Sequence, residues 1–268
     1  MRLADYNIEF HEEEKRKELN PLSFSRIKRY LECPRSYFEN YIKEQKAKPS
    51  PEMIFGKAVH AALEFHNKQR IEGNWISIVD LLDYLDEYIE DEFTNKKSLK
   101  LNQTLDLKKD GRKMIHEYFS GGWAERFQPL ESEFNFLMTI DGIPLCGVVD
   151  LVTTDDILLD YKTTVWPPKG MEAASSIQLS LYTLVYWKKF GEWPKESRLL
   201  YMPKKGDFQL LPSPSESGRR TVAQVMSAVN VLKDVAQHIK EERYLPIPTH
   251  YCQYCPYATT CPAVGGRD

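Results

Sequence analysis

The sequence lacks any long hydrophobic run. No stretch approaches the roughly 18 consecutive apolar residues that a membrane-spanning helix requires. Residues 1–20 are charged and contain no apolar core of a secretory signal peptide. These absences predict a cytoplasmic protein without a membrane partner. A glycine-rich Walker-type motif and an internal repeat are missing as well, so neither a built-in motor nor a repeat architecture is expected.

The chain also lacks a large excess of either charge. Its 36 lysines and arginines against 39 aspartates and glutamates give a net charge of −3, which is not typical of a non-specific nucleic-acid coat protein. An enzyme acting on nucleic acid is still allowed, because local basic pairs matter more than the sum. Several such pairs exist, and each could equally be a solvated face, among them Lys96-Lys97, Lys108-Lys109, Arg112-Lys113, Lys204-Lys205 and Arg219-Arg220.

Cysteine is scarce, but its placement is informative. Of five cysteines, three fall within ten residues: Cys252, Cys255 and Cys261. In a reducing compartment this spacing predicts metal or cluster ligation rather than disulfides. Four thiolates are usual in such sites, and Cys33 is the best fourth because it shares a Cys-Pro dipeptide with Cys255 and Cys261. Cys146 is expected to be a small core residue. The cysteines alone leave zinc and iron–sulfur both open.

Hydrophobic periodicity predicts an α/β protein. With 42% hydrophobic residues among 268, the chain can bury the core of one large domain. We expect a charged tail over residues 1–20 and one domain over 21–268. The domain would have a helical part (21–125), a sheet core (130–215), and a C-terminal helix with a cysteine-rich tail (218–268).

Local signals set the expected elements. Pro34 should break the first helix, and Gly121-Gly122 should end the helical part. The predicted longer helices cover residues 53–69, 76–93, 105–119, 175–190 and 221–242. The predicted strands cover residues 131–140, 144–154, 157–164, 198–202 and 208–211.

The most informative stretch is a predicted hairpin at residues 143–164. Its arms, 143–154 and 157–164, are rich in β-branched and aliphatic residues. Asp155 and Asp156 between the arms are a turn signal. The hairpin therefore has a defined centre from which its cross-strand pairs can be predicted.

Two carboxylates face each other if that turn is centred on Asp155. Asp150 then lies opposite Asp160, and Lys162 shares a face with Asp160. Carboxylates about 5 Å apart across neighbouring strands repel each other unless a cation lies between them. Oxygen ligands of this kind suit Mg²⁺ or Mn²⁺. The alternative is an ordinary hairpin with an exposed polar face, and a slip of one residue would separate the pair.

Two helices carry weaker signals. His60 and Glu64 lie one turn apart on one predicted helix, and Gln178 and Tyr182 lie one turn apart on another. Alone, a histidine on such a face is more often a core or surface group than a ligand. An amide and a phenol can contact a phosphate or stack on a base, but ordinary surface polarity explains them equally well.

In their order along the chain, these motifs resemble the RecB-like branch of the PD-(D/E)xK nuclease superfamily, whose members carry a C-terminal iron–sulfur cluster. The branch includes CRISPR-adaptation nucleases, AddB-type nuclease domains and exonucleases of phages and eukaryotes. The matching segments span almost the whole chain: Ser23-Phe24-Ser25 leading to Cys33-Pro34, Gly56-Lys-Ala-Val-His60, Gly147-Val-Val-Asp150, Asp160-Tyr-Lys162, Gln178-Leu-Ser-Leu-Tyr182, and the tail Cys252, Cys255 and Cys261.

The resemblance implies a restriction-endonuclease-like core, a central mixed β-sheet flanked by helices, with an N-terminal helical region and an iron–sulfur-stapled C-terminal tail. It implies that His60, Asp150 and Asp160 bind Mg²⁺ or Mn²⁺, with the Tyr161 carbonyl as a further oxygen ligand. Lys162 would orient and help deprotonate the attacking water.

The same resemblance implies roles for two further groups of residues. Gln178 would position the scissile strand, with Tyr182 nearby on the same helix. A 4Fe-4S cluster would be held by four thiolates and would fix the C-terminal segment against the first helix: Cys33, Cys252, Cys255 and Cys261. A further acidic ligand is expected at Glu64 or Glu133.

The implied function is a metal-dependent DNA exonuclease acting on single strands or duplex ends, alone or with a helicase or integrase partner. Recombination and repair, phage DNA processing and CRISPR adaptation are the implied settings. The alternative is a non-catalytic iron–sulfur or zinc subunit that binds nucleic acid within a larger complex. The set of Asp150, Asp160 and Lys162 argues against that alternative, because a pure binder has no need for apposed carboxylates.

Overall fold

The chain alternates between helices and the strands of one mixed sheet. The computed structural model describes residues 5–168, 173–213 and 216–264. Within these residues, nine α-helices form: α1 (Arg16–Leu19), α2 (Phe24–Glu32), α3 (Pro34–Tyr37), α4 (Pro51–Ile71), α5 (Ile78–Thr94), α6 (Leu101–Ser120), α7 (Trp123–Arg126), α8 (Ile177–Phe190) and α9 (Val222–Lys240). The strands in this part of the chain are β1 (Ile8–Phe10), β2 (Leu22–Ser23), β3 (Pro129–Ile140), β4 (Ile143–Thr153), β5 (Ile157–Thr164), β6 (Glu196–Pro203) and β7 (Gln209–Leu211).

The strands form a seven-stranded sheet in the order β1-β3-β4-β5-β6-β7, and β2 pairs with β4. The pairs β1–β3, β4–β5 and β6–β7 are antiparallel, whereas β2–β4 and β5–β6 are parallel. Helix α8 supplies the crossover that a parallel β5–β6 pair requires. The predicted α/β class, with a central mixed sheet flanked by helices, is confirmed.

Two compact units divide the chain. The first contains Met1–Lys48, Phe136–Gly147 and Met226–Asp268, and the second contains Pro49–Asn135 and Val148–Val225. The expected single domain over residues 21–268 stays a prediction. Its last residues, like Lys169 and Gly170 of the loop after β5, lie outside the described residues.

The core of the second unit is built from helices α4, α5 and α6 against β5 and β6. Val59 and Leu63 of α4, Leu85 of α5, Leu159 of β5 and Leu200 of β6 are all fully buried in one apolar cluster. Such burial stabilises by about 25 cal/mol per Å² of apolar surface removed from water. This core therefore fixes α4 against the strand that carries Asp160 and Lys162.

In the first unit, the Ser23 side chain accepts a hydrogen bond from Arg26 N and caps α2. Helix α2 ends before Cys33, and Pro34 begins α3 as its first residue. The predicted break at Pro34 is therefore confirmed. Tyr37 of α3 stacks on Tyr244, with ring centroids 6.3 Å apart.

The N-terminal segment departs from the expected tail. Ile8–Phe10 forms β1 and pairs with Met138–Ile140 of β3, and Arg16–Leu19 is a short helix. The three-residue strand buries only Ile8, so its sequence shows no alternating pattern. The helical part also does not end at Gly121-Gly122, because α7 follows directly.

Leu85 provides a test of the second unit's core. Leu85→Ala should lower the free energy of unfolding by about 2–5 kcal/mol, because it leaves a cavity at a fully buried position. Urea denaturation followed by circular dichroism measures the change. Val79→Ala on the same helix, where the side chain is 59% exposed, is the matched control and should shift it by less than about 0.5 kcal/mol. Equal effects would contradict this account of the core.

Candidate active site

The register of the β4–β5 hairpin brings the two predicted carboxylates together. Leu151 pairs with Leu159 and Val152 with Leu158 in the antiparallel ladder. Continued by one residue, the same register places Asp150 opposite Asp160. Asp150 Oδ2 accepts a hydrogen bond from the backbone amide of Tyr161 at 2.7 Å. This bond joins β4 to β5 and fixes the orientation of the Asp150 carboxylate.

Asp160 is almost fully buried and is held by two polar neighbours. Its Oδ1 accepts a hydrogen bond from Gln178 Nε2 at 2.7 Å, and its Oδ2 lies 2.6 Å from Lys162 Nζ. The second contact is an ion pair without hydrogen-bond alignment, so Oδ2 is a buried oxygen that still lacks a hydrogen-bond donor. Burial raises the pKa of Asp160, and the nearby charge of Asp150 adds to the shift. Both effects favour a cation at this carboxylate.

Gln178 joins the components of the site. From the first turn of α8 its Oε1 accepts a hydrogen bond from Lys162 Nζ at 3.0 Å, while its Nε2 also donates to the Tyr182 hydroxyl at 2.9 Å. Tyr182 is buried, and burial raises its pKa well above the ordinary range, so the phenol stays neutral. The helix N-terminus is set by Ser176, whose side chain accepts from Leu179 N. Gln178 and Tyr182, which were predicted to lie on one face of α8, therefore lie beside the Asp160 carboxylate.

His60 projects from α4 toward the hairpin. Its Nδ1 lies 3.5 Å from Asp150 Oδ2. One turn earlier, Gly56 lets the helix come close to β5, since an added Cβ would lie 3.1 Å from Thr163 Oγ1. Burial disfavours the imidazolium, but the charge and hydrogen bond of Asp150 together with the charge of Asp160 outweigh it and raise the pKa of His60 to about 9. A metal ion bound here must therefore displace a proton.

Of the two acidic candidates, Glu133 is the one whose ligand atoms lie near those of His60 and Asp150. Ligand atoms of His60, Glu133 and Asp150 all lie within 4.8 Å of one another. Glu64 instead pairs with Lys68 at 2.5 Å. Glu133 adopts a φ of +53° within β3, a conformation that is rare for a non-glycine residue and that departs locally from regular strand geometry.

Glu133 also carries an electrostatic cost. Burial raises its pKa to about 7, and the charges of Asp150 and Glu64 add to the shift. Sequence reasoning named Glu133 only as one of two candidates, because Glu64 has the same side chain and lies one helical turn from His60. No sequence pattern marks the positive φ that sets Glu133 apart.

The observed cluster differs in membership from the predicted ligand set of His60, Asp150, Asp160 and the Tyr161 carbonyl. Asp160 is adjacent to the cluster but is engaged by Lys162 and Gln178. At Tyr161 the backbone amide binds Asp150, and the hydroxyl accepts a hydrogen bond from Asn67 Nδ2 at 3.2 Å. The donor set of the cluster, one imidazole and two carboxylates, fits a hard divalent cation, and the buried carboxylate of Asp160 beside it supports that fit.

Cys255 lies near the other three cysteines of the predicted set, within the first unit. Cys33 follows α2, while Cys252, Cys255 and Cys261 lie in or beside the short 3-10 helices His250–Tyr254 and Ala258–Thr260. Burial raises the pKa of the Cys255 thiol, and the charges of Cys33, Cys252 and Cys261 raise it further. Cys146 is buried apart in β4, as expected of a core residue.

The tail that carries these cysteines is attached to the helices around Cys33. The Tyr257 hydroxyl donates to Asn40 Oδ1 at 2.8 Å, and the Tyr30 hydroxyl donates to the carbonyl of Arg243 at 2.6 Å. Both tyrosines are buried. The two ends of the chain are thus joined by protein contacts beside the cysteines.

The mixed sheet, with paired carboxylates and a lysine on one hairpin, defines a restriction-endonuclease-like fold with an acidic, metal-compatible centre. The chain belongs to the PD-(D/E)XK nuclease superfamily, whose model matches residues 21–262. The superfamily's metal-dependent nuclease chemistry is therefore the class to which this site belongs. Among the described residues, no helix has the length and apolarity needed to span a bilayer.

One solved structure agrees on the fold. A crystal structure of a provisionally named exonuclease from Eubacterium rectale superposes with a TM-score of 0.59 at 14% identity, covering 92% of this chain and 92% of that one. A structure named SSO0001 shares 16% identity and covers 76% of this chain and 96% of its own, but its TM-score is only 0.35. Among curated protein sequences, none matches this chain significantly.

Glu133 provides a test of the centre that does not depend on cleavage. In wild-type protein the folded state retains the Glu133 proton between pH 4.5 and about 7, whereas the unfolded chain loses it near 4.5. Stability due to this group therefore falls as pH rises through that window. Without metal, Glu133→Gln should match wild type near pH 4.5 and be more stable by about 1–3 kcal/mol at pH 8.

Thermal unfolding in EDTA at the two pH values measures this difference, and Glu131→Gln is the matched control. Added Mn²⁺ should stabilise wild type more than Glu133→Gln, since a ligand that binds only the folded state raises its stability. A pH-independent effect of Glu133→Gln, or equal stabilisation of both proteins by Mn²⁺, would contradict the assignment.

Proposed function

We propose that this protein is a Mg²⁺- or Mn²⁺-dependent deoxyribonuclease that degrades single-stranded DNA or duplex ends from a terminus. The observation that carries the proposal is the apposition of Asp150 and Asp160, with Lys162 paired to Asp160, in a chain of the nuclease superfamily. The similarity in fold to a provisionally named exonuclease agrees with end-directed cleavage.

The metal would be held by His60, Glu133 and Asp150, with Asp160 Oδ2 as the adjoining oxygen. A bound divalent ion would supply Lewis-acid activation of a water and would offset charge on the scissile phosphate. His60 must give up its proton for this, and the raised pKa of Glu133 means that it also must ionise. Loading should therefore improve as pH rises.

Lys162 would act on the substrate directly. Its side chain is 34% exposed, whereas its ammonium is held by Asp160 and Gln178. It is thus oriented and still reachable by a phosphate oxygen or a water. A fixed ammonium beside the scissile phosphate would orient the attacking water, lower its pKa so that its proton is lost to solvent more readily, and stabilise the negative charge that develops. Gln178 would act as the residue that positions Lys162 and Asp160, with Tyr182 supporting its amide.

We also propose that Cys33, Cys252, Cys255 and Cys261 hold a 4Fe-4S cluster. Four half-buried thiols, of which that of Cys255 lies near the other three, on segments joined by buried tyrosines, fit a cluster with four thiolate ligands. Its role would be structural, since it would fix the C-terminal tail to the end of α2. Zinc on the same thiolates is the competing occupant.

The nuclease proposal is tested with DNA labelled separately at its 5′ and 3′ ends and incubated with Mg²⁺, Mn²⁺ or EDTA. Wild type should shorten the DNA progressively in either metal and not in EDTA, and the label that is released first gives the polarity. Asp150→Ala, Asp160→Ala and Lys162→Ala should each lose at least about a hundredfold in rate, because each removes charge stabilisation at the reacting phosphate.

Lys97→Ala is the matched lysine control, since Lys97 is exposed and far along the sequence from the hairpin. Circular dichroism establishes that each variant remains folded. Full activity in all three hairpin variants would refute the nuclease proposal. Metal-independent DNA binding without cleavage would favour the non-catalytic subunit instead.

The cluster proposal is tested by iron and sulfide analysis of protein purified without oxygen. Wild type should be brown and contain about four irons per chain, as a 4Fe-4S centre requires. Cys252→Ala and Cys255→Ala should lose the iron and the visible absorbance, whereas Cys146→Ala, at the buried core position, should retain both. One zinc per chain and no iron in wild type would overturn the cluster in favour of zinc.

A further inference from the structure

The strand that carries the active-site lysine continues into an exposed tryptophan. Lys162 lies in β5, which ends at Thr164, and Trp166 follows two residues later. The Trp166 side chain is 64% exposed, although large apolar side chains are usually buried. At about 3.3 Å per residue of extended chain, Trp166 lies roughly 13 Å along the backbone from Lys162.

Trp166 is exposed but not loosely held. Thr164 Oγ1 donates a hydrogen bond to the Trp166 carbonyl at 2.9 Å. The segment after β6 runs alongside, since Lys204 N donates to Thr164 O at 2.8 Å and Lys205 N donates to Val165 O at 3.1 Å. The segment therefore extends the parallel β5–β6 pair beyond its last residues, and the indole is presented on an ordered edge.

The same pairing places a cation on the indole. Lys205 Nζ lies 4.9 Å from the Trp166 ring centroid, within the range of a cation–π contact. Within the described residues, no ion pair is recorded for Lys205. Its neighbour Lys204 differs, because it is 20% exposed and pairs with Asp110 at 2.9 Å. Lys205 is thus the member of this basic pair that is available to a phosphate.

Gly206 completes the arrangement. It has a φ of +96°, and a Cβ added there would lie 2.9 Å from the Pro167 ring. The two segments therefore touch at residues before and after Trp166 in the sequence, while the Trp166 side chain itself stays largely exposed. Ligands commonly bind beyond the carboxyl ends of parallel strands, and both β5 and β6 end at this edge.

We infer that Trp166 and Lys205 form a subsite for single-stranded DNA, in which one nucleobase stacks on the indole and the adjacent phosphate pairs with the lysine. This inference rests on the proposed function. An aromatic face beside a cation is the combination that binds single strands without reading sequence. Because Trp166 lies beyond Lys162 on the same strand, the subsite would hold the strand a short distance from the bond that is cut.

The test is equilibrium binding of a fluorescein-labelled oligothymidine, with Ca²⁺ replacing Mg²⁺ so that the DNA stays intact. Trp166→Ala should weaken binding about tenfold, since stacking on an aromatic side chain is worth about 1–3 kcal/mol per base. Trp166→Phe keeps an aromatic face and should stay within about threefold of wild type. Trp75→Ala, at an 86% exposed tryptophan in another loop, is the matched control and should bind as wild type.

A set of oligonucleotides, each with one abasic site at a different position, distinguishes loss of base stacking at one position from a general loss of affinity. The binding affinity of each is compared with that of the intact oligonucleotide. In wild type, one position should be most sensitive to loss of its base, and Trp166→Ala should remove that sensitivity. Lys205→Gln should reduce the slope of log affinity against log salt by about one, and Lys97→Gln should not.

The outcomes distinguish this inference from the proposed function. If wild type binds and cleaves DNA while Trp166→Ala binds equally well, or loses affinity equally for every abasic position, the subsite is refuted and the nuclease stands. If wild type neither binds nor cleaves any DNA, both are refuted.

Discussion

The active site depends on the antiparallel register between β4 and β5. That register sets two carboxylates opposite each other, at a spacing where their repulsion opposes folding. The protein offsets the repulsion locally, with the Tyr161 amide on Asp150 and the Lys162 ammonium beside Asp160. Neither partner replaces a divalent cation between the two carboxylates, and such a cation would offset the repulsion that the register imposes.

Precision in this site comes from elements that the core of the second unit holds rigid. Helix α4 brings His60 to the hairpin, and Gly56 permits the close approach. Helix α8 brings Gln178, whose amide bonds to both Asp160 and Lys162. A single amide that accepts from the lysine and donates to the carboxylate fixes both charges at once. Such preorganised groups stabilise developing charge without having to reorient.

The sequence predicts the parts of this site that depend on interactions between residues close together in the chain. The hairpin could be predicted because Asp155-Asp156 marks its turn, and period-two patterning then sets the faces. Glu133 could not be chosen over Glu64, since its positive φ leaves no trace in composition. Strand β1 was missed for a related reason, because a three-residue edge strand that buries one side chain has no periodicity. Four of the basic pairs named above have a member in an ion pair with an acidic side chain, as Lys108 with Glu90 shows.

The protonation states of the centre link its stability to its chemistry. Without metal, the raised pKa of His60 keeps a proton beside Asp150, and the raised pKa of Glu133 keeps that carboxyl neutral below about pH 7. The protein thus holds its ligands in the forms that bind metal least well, and metal must release protons to enter. Replacing Glu133 with a neutral residue would raise the free energy of unfolding at pH 8 but would remove one of the proposed metal ligands. These protonation states and the apposed carboxylates give the site an unfavourable charge arrangement without metal, which a bound divalent ion would offset.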